Sequence, residues 1–121
     1  MKLLTKAIER KLLANWGKEN LQIDSYTSIQ KFQAKSTGIE KEKVVVKFFN
    51  PSGQATWWLH SMSYDGICFG VAQMFDRDTR EYGYFDINEI KASKCPPFDL
   101  PVERDIYYTP QVFGELLWAE L

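Results

Sequence analysis

The sequence predicts an α+β domain with a mainly antiparallel sheet of about five strands and a helix near each end. Three observations carry this. Short β-branched and aromatic runs recur between 44 and 85, strong turn residues separate them, and helical periodicity is confined to the flanks. With 121 residues, 45% apolar and 15% aromatic, the chain has enough material for one packed core, so residues 1–121 are expected to form a single domain.

Thr5 stands as an N-cap before Leu4, Ile8, Leu12, Leu13 and Trp16 at helical spacing, with Lys6, Arg10 and Lys11 on the opposite side. A helix over 6–16, stopped near Gly17, follows. Between 18 and 43 the pattern weakens. Tyr26, Ile29 and Phe32 suggest a short helix after Asp24 or Ser25, broken by Ser36-Thr37-Gly38.

Strands are predicted over 44–49, 55–60, 67–74, 82–85 and 104–108. The first two are joined by Asn50-Pro51-Ser52-Gly53, and the next pair by Tyr64-Asp65-Gly66. Because strand side chains alternate, Ala55, Trp57 and Leu59 share one face and Thr56, Trp58 and His60 the other. The first set reads as core. Small Gly70 and Ala72 sit in a run that is apolar on both faces, as a central strand covered by a helix would be. Asp86 with Glu89 has the spacing of a capping box for a short helix over 87–93, ended by Cys95-Pro96-Pro97. Thr109 as N-cap, Pro110 at the first helical position, and Val112, Phe113, Leu116 and Leu117 predict a last helix over 110–119.

Net charge is −1, unevenly placed: residues 1–50 hold ten Lys/Arg against five Asp/Glu, and residues 51–121 five against eleven. The preferred reading is solvated loops, with a basic arm or acidic docking face as the alternative. Lys6, Glu9, Arg10 and Lys11 interrupt any signal-peptide core, and no apolar stretch has the length of a membrane span, so the chain reads as cytoplasmic without membrane association.

The ordered motifs resemble a known bacterial family. They are Val45-Val46-Lys47-Phe48-Phe49-Asn50-Pro51, Ala55-Thr56-Trp57, Phe69-Gly70, Tyr82-Gly83-Tyr84-Phe85 with Glu89-Ile90, and Leu100-Pro101-Val102-Glu103-Arg104-Asp105, preceded by Met1-Lys2-Leu3-Leu4-Thr5 and Leu12-Leu13-Ala14-Asn15. In that order they resemble the domain of unknown function 2958 family, whose small members are often carried by plasmids, phages and integrated elements. The chain departs from the family pattern between Lys18 and Lys43 and at Trp58. The resemblance implies a mobile-element setting and brings no catalytic or binding residues.

Candidate chemistry is sparse. His60 is the single histidine, no G-x-S-x-G nucleophile motif is present, and a surface strand position is preferred over a catalytic base. Asp76 and Asp78 lack the glycine and distal glutamate of a calcium loop. Cys68 and Cys95 read as reduced structural thiols, and no metal or cofactor is expected. Isolated Gly66, Gly70 and Gly83 form no phosphate-cradling loop. Glu103, Arg104 and Asp105 form either an ion-pair cluster at a strand edge or a polar ligand site.

The leading expectation is a non-enzymatic accessory factor that binds a host or element-encoded protein, with Trp58, His60, Tyr64 and Asp65 as a contact surface projecting from the second face; for Trp58, burial under a helix covering that face is the equal alternative. Such a factor would inhibit or modulate a host defence or nucleic-acid-processing complex. The alternatives are a small-ligand or hydrolytic domain using Glu103, Arg104 and Asp105 or the Asp76/Asp78 loop, and, less favoured, a single-stranded nucleic-acid-binding domain. The oligomeric state is left open.

Overall fold

The computed structural model describes residues 3–16 and 42–117. The short helix expected around Tyr26, Ile29 and Phe32 lies outside them. The first helix, α1 (Lys6–Asn15), starts as predicted: the Thr5 hydroxyl accepts the Ile8 N–H at 3.2 Å, filling one of the donors a helix start leaves open. Its apolar stripe buries Leu12 completely.

Five antiparallel strands make the main sheet: β2 (Val46–Phe49), β3 (Thr56–Met62), β4 (Ile67–Gln73), β5 (Glu81–Asp86) and the two-residue β8 (Glu103–Arg104). Their spatial order is β5-β4-β3-β2-β8. In the β2–β3 turn the Asn50 side chain accepts the Ser52 N–H at 2.8 Å, an Asx turn of the kind its Asn-Pro-Ser-Gly composition implies. After β5 the chain passes into α2 (Ile87–Ala92), whose N-cap Asp86 accepts the Asn88 N–H. It then forms a small hairpin from β6 (Lys94–Cys95) and β7 (Leu100–Pro101) before reaching β8 at the far edge. This crossing lays Ile87, Ile90, Cys95 and Val102 over one sheet face, where they pack with Leu12, Val46, Phe48 and Leu59.

The opposite face is closed as well. A separate strand, β1 (Lys43–Val44), pairs with β9 (Gln111–Val112), which leads straight into α3 (Phe113–Leu117). Phe113 and Leu116 cover Val44, Trp58, Phe69, Val71 and Tyr82. Phe69 and Tyr82 lie parallel at 5.8 Å, with Phe113 tilted against both. The sheet is therefore sandwiched between two cores, each removing apolar surface from water.

Two predicted elements are corrected here. The fifth strand does not run over 104–108: it is Glu103–Arg104, after which Asp105 accepts the Tyr107 N–H through its side chain and the Tyr108 N–H through its carbonyl, closing a turn. The last helix does not begin at Thr109-Pro110. Gln111 and Val112 are drawn into pairing with Val44 and Lys43, and the Phe113 N–H donates to the Glu42 carbonyl at 3.0 Å, so a non-local ladder displaces the local helix signal.

Strict alternation along β3 also fails at one point. Leu59 pairs with Gly70 and Ser61 with Phe69, leaving His60 as the extra residue of a β-bulge. Beyond it Met62 pairs with Cys68 and joins the α1-side core, where uninterrupted alternation would have placed it on the other face. Asn15, at the end of α1, donates to the His60 carbonyl at 2.9 Å and ties the helix to the bulge.

Candidate functional site

Trp57 and Trp58 point to opposite faces as expected, but the face carrying Trp58 is not open to solvent. Trp58 is 3% exposed. The Arg80 guanidinium lies 4.6 Å above its ring and Lys47 Nζ 5.7 Å from it. Arg80 is held in place by donating from Nε to Gln73 Oε1 at 2.6 Å and from Nη1 to the Leu116 carbonyl at 3.0 Å, which fastens it to α3. His60 is 0% exposed, with Nε2 3.1 Å from Glu42 Oε1 and its ring against Phe69 and Phe113. The surface position expected for His60 is thus corrected, and of the two readings of Trp58 the buried one holds, so Trp58 is not an exposed contact: β1, β9 and α3 enclose both residues in the second core.

Tyr64 and Asp65 behave differently. They form the tip of the β3–β4 hairpin, and Tyr64 is 91% exposed. The turn beneath them is tightly held. Gly66 donates to the Ser63 carbonyl at 3.0 Å, Ser63 to the Ile67 carbonyl at 2.8 Å, Ile67 to the Ser63 hydroxyl at 3.1 Å, and Ile87 to the Gly66 carbonyl at 2.9 Å. Gly66 has φ +90°, a conformation that favours glycine, and a Cβ there would meet Ile87 at 3.0 Å. Beside the tip lies a cleft of about 190 Å³ that brings in Glu9, Asn88 and Lys91. The sequence pointed to the tip; its neighbours from α1 and α2 came only with the fold.

Glu103, Arg104 and Asp105 are divided by the pleat. Glu103 pairs with Phe49 and Arg104 with Phe48, so the two side chains take opposite faces. Arg104 Nη1 donates to the Leu3 carbonyl at 3.3 Å, and Asp105 sits 3.8 Å from Lys47. Arg104 and Asp105, without Glu103, line a cleft of about 310 Å³ together with Lys11 and Tyr108. Burial pushes the Tyr108 phenol up to about 12, so it keeps its proton at neutral pH. In the sequence Lys11 marks only the solvated side of a helix.

Asp76 is occupied within its own loop: its carboxylate accepts the Asp78 N–H at 3.1 Å and its carbonyl accepts the Thr79 hydroxyl at 2.7 Å. Among the described residues no group of three or more His, Cys, Asp or Glu is placed to hold a metal ion. Cys68 and Cys95 are buried free thiols.

Residues 3–116 match the model of a family described as a protein of unknown function, DUF2958. The chain belongs to that family. Nothing matches it among curated proteins or among solved structures. The match runs through both cores, the Tyr64 tip and the Arg104 cleft of this DUF2958 domain. No helix among its described residues is long and apolar enough to cross a membrane.

Cys68 supplies a measurable consequence of the burial. Loss of solvation, reinforced by Asp86, pushes its thiol from 9.0 up to about 12. Below pH 9 the thiol is protonated in the folded and unfolded chain alike, and its contribution to stability is intact. Between pH 9 and 12 the unfolded chain ionises while the folded one does not, so stability falls as pH rises, at up to about 1.4 kcal/mol per pH unit. Denaturant titrations at pH 8 and pH 11 should show this loss in the wild type and a smaller one in Cys68→Ala; equal losses would contradict the assignment.

Proposed function

We propose that this DUF2958 domain is a non-enzymatic cytoplasmic accessory factor of a mobile genetic element, binding a host or element-encoded protein through the Tyr64–Asp65 tip. The partner class is a host defence or nucleic-acid-processing complex that the domain inhibits or modulates. The mobile-element setting rests on the resemblance of the ordered motifs. The contact surface rests on one observation: a tyrosine exposed over nine-tenths of its surface on a turn fixed by four hydrogen bonds. An aromatic presented on a rigid turn loses little conformational freedom on binding, which is what an anchor residue requires.

The groups a hydrolase would need do not converge around that tip. His60 is enclosed with Glu42, and Cys68 is buried and protonated. Single-stranded nucleic acid is the less favoured reading, because Trp58 already carries Arg80 and Lys47 within the fold and offers no stacking face.

The test is capture by tagged protein from host lysate, comparing wild type with Tyr64→Ala. Truncating a true anchor costs about 2 kcal/mol or more, roughly a thirtyfold loss of affinity, with the melting temperature unchanged because Tyr64 packs against nothing it would expose. Undiminished capture of the same partner by Tyr64→Ala would overturn the assignment.

A further inference from the structure

The outward side of α1 is a basic stripe. Leu12 is buried, whereas Lys6, Ala7, Arg10, Lys11 and Ala14 are all exposed. At the helical repeat these five positions fall on the side away from Leu12. Lys6, Arg10 and Lys11 make no ion pair among the described residues. We infer that this stripe is a docking surface for an acidic segment of a partner protein.

These charges work against the helix that carries them. Lys6 is the first helical residue, at the end where the aligned backbone dipoles leave positive charge, and the last turn, where a cation is favoured, holds none. Lys6 and Arg10 stand four residues apart, a like-charge pair that weakens a helix. Glu9 is the one acid within α1, and it lines the cleft beside the Tyr64 tip. A helix face with no role beyond solvation gains from alternating signs. This one keeps three cations together and sets only the small Ala7 and Ala14 among them, so an approaching surface meets no bulky apolar side chain.

Charge complementarity selects an acidic occupant. Carboxylates border the stripe on both sides, Glu9 and Asp65 in the cleft beside the tip and Asp105 in the cleft that Lys11 lines. A continuous phosphate backbone passing over α1 would run against them, whereas the discrete acidic side chains of a protein can meet the cations alone. The choice of a protein as occupant rests on the contact proposed for the Tyr64 tip, which the Glu9 flank of α1 adjoins.

The probe is poly-L-glutamate at low ionic strength, titrated into isotopically labelled protein and followed by NMR. Saturable amide shifts are expected from Lys6 to Ala14, fading as salt is raised. Lys6→Glu supplies a paired readout. It puts an acid at the positive end of the helix and turns the like-charge pair into an opposite one, so the melting temperature should hold or rise while binding weakens about tenfold. Lys94→Glu, at an exposed lysine of β6, changes the net charge equally and should bind as the wild type does. Tyr64→Ala should also bind the probe as the wild type does, so failure on α1 and failure of the tip assignment are read separately. Absence of saturable shifts on α1, unchanged binding or a lowered melting temperature in Lys6→Glu, an equal loss in Lys94→Glu, or tighter binding of a duplex DNA oligonucleotide to the same amides would each overturn the assignment.

Discussion

Gly70→Ala is expected to destabilise the domain by about 3 kcal/mol or more, lowering the melting temperature by roughly 10 °C or beyond. Gly70 lies in β4 directly opposite the start of the β3 bulge. A Cβ on it would fall 1.8 Å from the Trp58 carbonyl oxygen and 3.0 Å from Leu59 Cα. Both are backbone atoms in the centre of the sheet, so no side-chain rotation relieves the clash and the two strands must separate. Thermal unfolding followed by circular dichroism reads the effect directly. A melting temperature within a degree or two of the wild type would mean that β3 and β4 do not approach as closely as described.

Trp58→Ala should cost about 3–5 kcal/mol, the usual range for emptying a buried aromatic position. The loss has two sources: a cavity beneath α3, and removal of the ring on which Arg80 and Lys47 rest. Urea unfolding should show a lower midpoint with an unchanged slope. Arg80→Met, which keeps much of the covering stem while removing the cation and its bonds to Gln73 and the Leu116 carbonyl, should lie between the two. A loss below about 1 kcal/mol in Trp58→Ala would return that residue to the surface and reopen it as a contact.

Much of this architecture was legible because local chemistry and tertiary structure agree. The turns at Asn50-Pro51-Ser52-Gly53 and Tyr64-Asp65-Gly66, the Thr5 and Asp86 caps, and the opposed faces of Trp57 and Trp58 all follow from composition and period. The failures share a different cause. Gln111 and Val112 leave their predicted helix because Lys43 and Val44, nearly seventy positions earlier, offer a strand. That strand, with the α3 behind it, is what covers Trp58 and His60. The bulge at His60 has no local signature either, since it is defined by its register against β4.

The candidate sites divide along the same line. Tyr64 could be found because a turn tip is exposed by its own geometry. Lys11 and Arg104, far apart in the chain, meet only because β8 closes the β2 edge and Arg104 reaches the Leu3 carbonyl. Glu103 separates from its neighbours by the alternation of a strand too short to show that pattern in sequence.

The most direct measurement of the proposed role is photo-crosslinking from p-benzoylphenylalanine placed at position 64, with position 75 as the comparison. Phe75 is also exposed but lies in the β4–β5 connection at the opposite end of the sheet. In host lysate the account predicts a discrete covalent adduct from position 64, competed by unlabelled wild-type protein and not by Tyr64→Ala, with none from position 75. An adduct from position 75 alone, or one from position 64 that Tyr64→Ala competes as well as the wild type does, would contradict it.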